Sequence, residues 1–213
     1  MLFFLCYNIF VIYMKRKYLI LFSLLFFLTF LFLYLLDSVN GIDDLFYKYI
    51  ISIKSDRITN LMKFITFFGS TRFIIFLMIL FFIIGLKKNK IFNFLNLIIL
   101  GDVFINNLVK IIVRRERPIL INLVNETSFS FPSGHTMISV TLYGFLIYLI
   151  IKSNMNKKIK IILISLLILL INSIIISRIY LGVHYFSDCL AGIFLALTYL
   201  LFSIEILERK KFV

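Results

Sequence analysis

Long apolar runs, broken by short polar clusters, dominate the chain. Six of them are long enough, with help from their flanks, to cross a bilayer, which takes about 20 helical residues. They predict helices near 18–36, 71–86, 91–112, 136–151, 161–177 and 188–207. Residues 37–70 read differently. In "DDLFYKYIISIKSDRITNLMKFITFFG" apolar positions interleave with Asp43, Asp44, Lys48, Lys54, Asp56, Arg57 and Lys63. That pattern predicts one or two interfacial helices between the first and second spans. No internal repeat or flexible linker divides the chain, so residues 1–213 are read as a single membrane-embedded domain. The fold class is all-α: an integral membrane bundle of six transmembrane helices.

Composition agrees. Hydrophobic residues make up 62 % of the chain and charged residues 15 %. The mean hydropathy is +1.07. Soluble domains run at roughly 45–50 % apolar, so a soluble fold could not hide this much apolar surface. The first residues, "MLFFLCYNIFVIY", are apolar but too few for a span. Met14 opens "MKRKYLILFSLL", which reads as an ordinary N-terminus. Translation from Met14 is one expectation, and an interfacial segment is the other. No small-residue cleavage site follows, so the first long run is expected to remain as a span.

A net charge of +13 raises the question of nucleic acid. The basic residues form no continuous face. They cluster between apolar runs as Lys15-Arg16-Lys17, Lys87-Lys88-Asn89-Lys90, Lys157-Lys158-Ile159-Lys160 and Arg209-Lys210-Lys211. That is the pattern of cytoplasmic loops, and it argues against a nucleic-acid partner. With both termini cytoplasmic, thirteen Lys/Arg and two acids, Glu205 and Glu208, fall inside; ten Lys/Arg and seven acids fall outside. A multi-pass plasma-membrane protein is the resulting expectation. Cys6 and Cys189 sit in apolar surroundings and make no metal framework.

Three polar patches fall on the predicted outer face. "KIIVRRERP" places Lys110 and Arg117 seven residues apart. On a continuing helix both would lie on one face, a point charge beside a planar fork, which suits a tetrahedral oxyanion. The plainer alternative is boundary residues snorkelling to the headgroups. "FPSGHT" puts Ser133 where it can cap a helix, Gly134 where a ligand can approach the backbone, and His135 beside that anion-binding N-terminus. An ordinary capped helix with a chance histidine would look the same. In "SRIYLGVHYFSD" His184 and Asp188 are four apart, so a helix would let the carboxylate hold one imidazole nitrogen and leave the other free to attack. A structural hydrogen bond is the alternative. Arg178 is off that face unless the chain breaks near Gly182. Asp102, Asn106 and Lys110 form a polar stripe at membrane depth, for which a structural or supporting role is expected.

Together the patches resemble the signature of the type 2 phosphatidic acid phosphatase (lipid phosphate phosphatase) family. The matching residues are Lys110…Arg117-Pro118, Pro132-Ser133-Gly134-His135 and Ser177-Arg178…His184…Asp188. The six-span layout is similar to bacterial membrane members, undecaprenyl pyrophosphate phosphatases among them. The resemblance implies a metal-independent hydrolase without cofactor, working through a phosphohistidine. His184 would be the nucleophile, Asp188 its orienting carboxylate and His135 the general acid. Lys110, Arg117, Arg178, Ser133 and Gly134 would bind the substrate phosphate. Cationic side chains would then supply what a metal otherwise gives.

A lipid phosphate at the outer face of the cell membrane is the implied substrate and partner. Undecaprenyl pyrophosphate or phosphatidic acid is expected first, with Arg114 and Arg115 as possible grips for a second phosphate or headgroup. Phosphatidylglycerophosphate is the alternative. A non-catalytic lipid-phosphate binder or a transporter is the reading from another class. It fits less well, because His184, His135 and Asp188 are all present.

Overall fold

In the bilayer core each backbone N–H and C=O must be satisfied within its own segment, which favours helices for every apolar run. The computed structural model describes residues 16–86, 90–118, 123–124 and 126–209. The helices are α1 (Arg16–Leu35), α2 (Asn40–Ile53), α3 (Asp56–Phe67) and α4 (Thr71–Leu86), then α5 (Lys90–Val113), α6 (Gly134–Lys152), α7 (Lys157–Tyr180) and α8 (Phe186–Arg209). Met14, Cys6, Lys87, Lys88, Lys210 and Lys211 lie outside the described residues.

Among the described residues, six helical segments are long and apolar enough to cross a membrane. Five match the expected spans to within a turn. The second is longer than expected: α3 and α4 join through a short turn into one candidate span, Asp56–Leu86. Only α2 is left between the first two spans. The interfacial reading rested on Asp56, Arg57 and Lys63, which are exposed, but other polar residues of α3 turn inward. Thr59 meets the Tyr180 hydroxyl at 3.3 Å, and Thr66 accepts from Arg178 at 2.9 Å. At the α3–α4 turn the Tyr143 hydroxyl donates to the freed carbonyl of Phe68 at 2.7 Å.

The bundle is built around α6. Of its most apolar stretch 56 % is buried, against 11 % for α1, and α6 packs on α5, α7 and α8. Leu95, Ile99, Leu142, Phe145, Ile174 and Leu207 meet in its main core. Phe27, Met137, Val140, Leu195 and Ala196 form a second cluster where α1 lies along α8.

The two ends of the bundle differ in chemistry. At one end Glu208 gathers Arg16 at 2.7 Å, Lys152 at 3.1 Å and the Tyr148 hydroxyl at 3.1 Å, joining α1, α6 and α8. The opposite end brings together the C-termini of α5 and α7, the N-termini of α2, α6 and α8, and the loop between α5 and α6. All three polar patches of the sequence lie there.

Packing against α6, rather than apolarity alone, should decide stability. Leu142→Ala, at a fully buried site, is expected to cost about 2–5 kcal/mol. Phe104→Ala, at a site 67 % exposed on the bundle exterior, should change stability by less than about 0.5 kcal/mol. Unfolding of the two variants in the same detergent measures the difference, and equal losses would contradict this packing.

Candidate active site

The site is assembled by chain reversals at helix ends. α7 closes with Gly182 at φ 69°, the Gly182 N–H bonded to Ile179 O at 3.0 Å and the Val183 N–H to Arg178 O at 3.3 Å. This paired termination needs a residue in the left-handed region, which glycine adopts without strain. The expected break near Gly182 is therefore present, and it brings His184 back beside the end of α7. α8 then starts at Phe186, with Asp188 in its first turn. The Tyr185 N–H donates to Asp188 Oδ2 at 2.9 Å, so the carboxylate caps its own helix.

His184 and Asp188 do not share a helical face, since His184 precedes α8. Their nearest approach, Nδ1 to Oδ2, is 3.6 Å. Ser130 fills the gap. Its hydroxyl donates to Asp188 Oδ2 at 2.5 Å and lies 3.3 Å from His184 Nδ1. On the other side of the ring, Arg117 Nη1 stands 3.3 Å from Nε2. A guanidinium can only donate, so Nε2 is the acceptor and the ring proton belongs on Nδ1. His184 is 3 % exposed, and its pKa is held well below the ordinary histidine value. Burial is the main cause, followed by the charges of Arg178, Arg117 and Lys110. The imidazole is therefore neutral at pH 7, with a bare Nε2 turned toward a group of cations.

Those cations are held in different ways. α5 ends at Val113, and Arg114 takes a left-handed turn at φ 52°. The expected continuation of the helix from Lys110 to Arg117 does not occur; the irregular run after the turn brings Arg117 back. Arg117 donates from Nε to Ser128 O at 2.7 Å and from Nη1 to Val183 O at 2.7 Å. Lys110 Nζ donates to the carbonyls of Phe129 and Ser130. Arg178, 1 % exposed, donates to Thr66 and, at 2.5 Å, to Glu126. Its buried Nε has no partner among the described residues. Glu126 also reaches Arg117 at 3.9 Å, so one carboxylate spans both guanidinium groups.

Ser133 caps α6, its hydroxyl accepting from the Thr136 N–H at 3.4 Å, and Gly134 opens the helix. Asn106 supports this corner from α5, donating to Pro132 O at 3.3 Å. Asp102 accepts from Thr141 at 2.6 Å. The stripe Asp102–Asn106–Lys110 therefore holds α6 and its preceding loop, as expected of a supporting role. His135 lies within electrostatic reach of Arg178, His184, Arg117 and Lys110. A β-carbon on Gly69, at the α3–α4 turn, would stand 3.3 Å from its ring.

Arg114 and Arg115 are not brought to this group. Arg114 is exposed and folds back on Ile111 O at 3.0 Å. Arg115 is buried behind Asp188, paired with it and with Asp43 at 2.7 Å each. Burial opposes its charge, but the two carboxylates more than offset that and raise its pKa above the ordinary guanidinium value. The recess that both arginines border also holds Asp43, Asp44 and Glu116, an acidic lining unsuited to a second phosphate.

Ser130, Glu126, Thr66 and Asp43 were not singled out from the sequence. Ser130 and Glu126 at least fall between two recognised motifs, where the chain must pass the site. For Thr66 and Asp43 no local signal exists.

Residues 90–212 match the PAP2 superfamily. Over 183 residues the chain is 31 % identical to phosphatidylglycerophosphatase B of Bacillus subtilis, covering 82 % of this chain and 87 % of that protein. It resembles the crystal structure of a transmembrane PAP2-type phosphatidylglycerolphosphate phosphatase from Bacillus subtilis with a TM-score of 0.84 and 28 % identity, covering 91 % of this chain and 98 % of that one. The crystal structure of Aquifex aeolicus LpxE shares the fold, with a TM-score of 0.58, 22 % identity, and 75 % and 92 % coverage. The family match extends over more than half the chain and contains all three motifs at one end of the bundle, and the chain belongs to the PAP2 superfamily, in its bacterial membrane branch.

Proposed function

We propose that this PAP2 lipid phosphatase hydrolyses the terminal phosphomonoester of phosphatidylglycerophosphate through a phosphohistidine on His184. The observation that carries the chemistry is the polarity of the His184 ring. Nδ1 is backed by Ser130 and Asp188, while the bare Nε2 faces Arg117. The choice of lipid is supported by the two Bacillus subtilis relatives named above. The argument for a pyrophosphate weakens once Arg115 is committed to carboxylates.

In this reading the phosphoryl oxygens lie against Lys110, Arg117, Arg178, the Ser133 hydroxyl and the Gly134 N–H. Arg178 Nε is a buried donor without a partner among the described residues, and a phosphoryl oxygen would satisfy it. The Nε2 lone pair forms an N–P bond as the P–O ester bond breaks. The departing alcohol oxygen takes its proton from His135. Asp188, through Ser130, offsets the positive charge that develops on His184. Water then bonds to phosphorus and the N–P bond breaks. The water proton passes to His135, and inorganic phosphate leaves. These steps need only the side chains named. The site lies at the end of the bundle opposite the Arg16–Glu208–Lys152 cluster. With that cluster cytoplasmic, the chemistry takes place at the outer face of the plasma membrane.

Phosphate release from phosphatidylglycerophosphate, phosphatidic acid and undecaprenyl pyrophosphate in detergent micelles containing EDTA tests the assignment. Phosphatidylglycerophosphate should be fastest, and a faster undecaprenyl pyrophosphate would reverse the substrate choice. His184→Ala should abolish turnover while still binding lipid phosphate. Full activity in that variant would refute the nucleophile.

Glu126 holds the arginines that the phosphate must reach, so substrate has to displace it. Glu126→Gln should tighten competitive inhibition by inorganic phosphate about threefold to tenfold, the loss of one partly exposed charge-assisted contact. Weaker inhibition would mean that Glu126 assists phosphate binding.

A further inference from the structure

Behind Asp188 lies a buried chain of charges that the reaction scheme above does not use. Asp188 Oδ1 accepts from Arg115 Nη1 at 2.7 Å, and Arg115 Nη2 donates to Asp43 Oδ2 at 2.7 Å. The side chains of Asp188, Arg115 and Asp43 are 0 %, 6 % and 2 % exposed. The guanidinium is sandwiched between the rings of Tyr34 and Tyr185, at 4.7 and 4.1 Å from their centroids. Asp43 has a second hold on the same corner. Its Oδ1 accepts from the Ser187 N–H at 2.9 Å, and its Oδ2 from the Ser187 hydroxyl at 2.6 Å. It therefore caps the first turn of α8, the turn that carries Asp188, from α2. Asp43 lies outside the stretch that matches the superfamily.

Burying three charges is costly unless each is paired with good geometry. Here each is, and two carboxylates share one guanidinium. The chain keeps a net charge of −1 beside His184. Were Arg115 paired with Asp188 alone, the pair would be neutral and would offset an imidazolium poorly. Asp43 thus leaves Asp188 negative while Arg115 fixes its direction.

We propose that Asp43 is a positioning residue for phosphoryl transfer, acting through Arg115 and the first turn of α8 on Asp188 and so on His184. This rests on His184 being the nucleophile. Because Asp43 does not touch the phosphate-binding cations, its removal should impair the transition state and spare ground-state binding.

The test uses the full chain, purified in detergent, as wild type, Asp43→Asn and Asp43→Glu. Orthovanadate mimics the five-coordinate transition state, whereas inorganic phosphate reports ground-state binding. In Asp43→Asn, kcat should fall about tenfold, the scale of one charge-assisted hydrogen bond. Orthovanadate should bind more weakly by a similar factor. KM for the lipid and the inhibition constant for phosphate should stay within about twofold, while Asp43→Glu, which restores the charge, should recover part of the loss. Unchanged kcat and orthovanadate affinity would overturn the proposal, as would equal losses for orthovanadate and phosphate. Calorimetric binding of the two anions needs no lipid turnover, so a wrong substrate assignment leaves this comparison readable. Should Asp43→Asn fail to fold, Ser187→Ala removes the hydroxyl that donates to Asp43 and accepts from Arg115, loosening both without removing either charge. That variant should give the same split at smaller size, and its absence there would overturn the proposal.

Discussion

Like charges converging out of water are the constraint on which this structure depends. Lys110, Arg117 and Arg178 lie within electrostatic reach of one another at the rim of an apolar bundle, where both their mutual repulsion and their desolvation oppose them. The fold meets this with many fixed dipoles and with one carboxylate, Glu126, shared between Arg178 and Arg117. Lys110 and Arg117 rest on the carbonyls of Ser128, Phe129, Ser130 and Val183. Those carbonyls belong to chain reversals outside helices, where backbone acceptors are free. Hence the irregular segments 126–133 and 181–185 are structural requirements of the site. A regular helix would have consumed their hydrogen bonds internally.

Two arginines two residues apart show how the same side chain is given opposite tasks. Arg115 is closed in by two carboxylates and two aromatic rings. Arg117 spends its hydrogen bonds on neutral carbonyls and a serine, has only Glu126 at 3.9 Å as a described ion-pair partner, and turns Nη1 toward His184. Arg115 is therefore a scaffold element, and Arg117 is electrostatically available. Nothing in "VRRERP" separates them. The distinction arises from which acids the tertiary fold brings near, and these lie 72 and 73 positions away.

That distance also explains what could be read from the sequence. Helices α1 and α4 to α8 were legible because a span is a local property: a run of apolar residues of sufficient length. The residues on the cationic face were legible because their motifs are short and carry charge where a membrane protein ordinarily avoids it. Glycine signalled the turn at Gly182 for the same local reason. The rest depends on contacts without periodicity. Asp43 to Ser187 crosses 144 positions and Arg178 to Thr66 crosses 112. α3 looked interfacial because Asp56, Arg57 and Lys63 interleave with its apolar positions; those charges are exposed, yet Thr59 and Thr66 of the same helix face protein. A helix whose polar positions find partners inside a bundle has the same pattern as one lying on a lipid surface. The failed continuation of α5 past Val113 has a similar origin. The sequence there permits helix, and the tertiary demand that Arg115 and Arg117 both turn back into the bundle overrides it.

The supporting stripe on α5 carries the argument to its last step. Asp102, Asn106 and Lys110 sit one turn apart, and each binds a different level of the neighbouring chain: Thr141 within α6, Pro132 just before it, and the carbonyls of Phe129 and Ser130 in the loop. Polar groups at membrane depth are costly without partners, so each rung disfavours any sliding of α5 along α6. Sliding by one residue would break all three rungs together. The same rungs hold Ser130, which links His184 to Asp188. Buried polarity that would only weaken a lipid-facing helix here sets the height of α5 against α6. That register carries the alignment of His184 from the interior of the bundle to its rim.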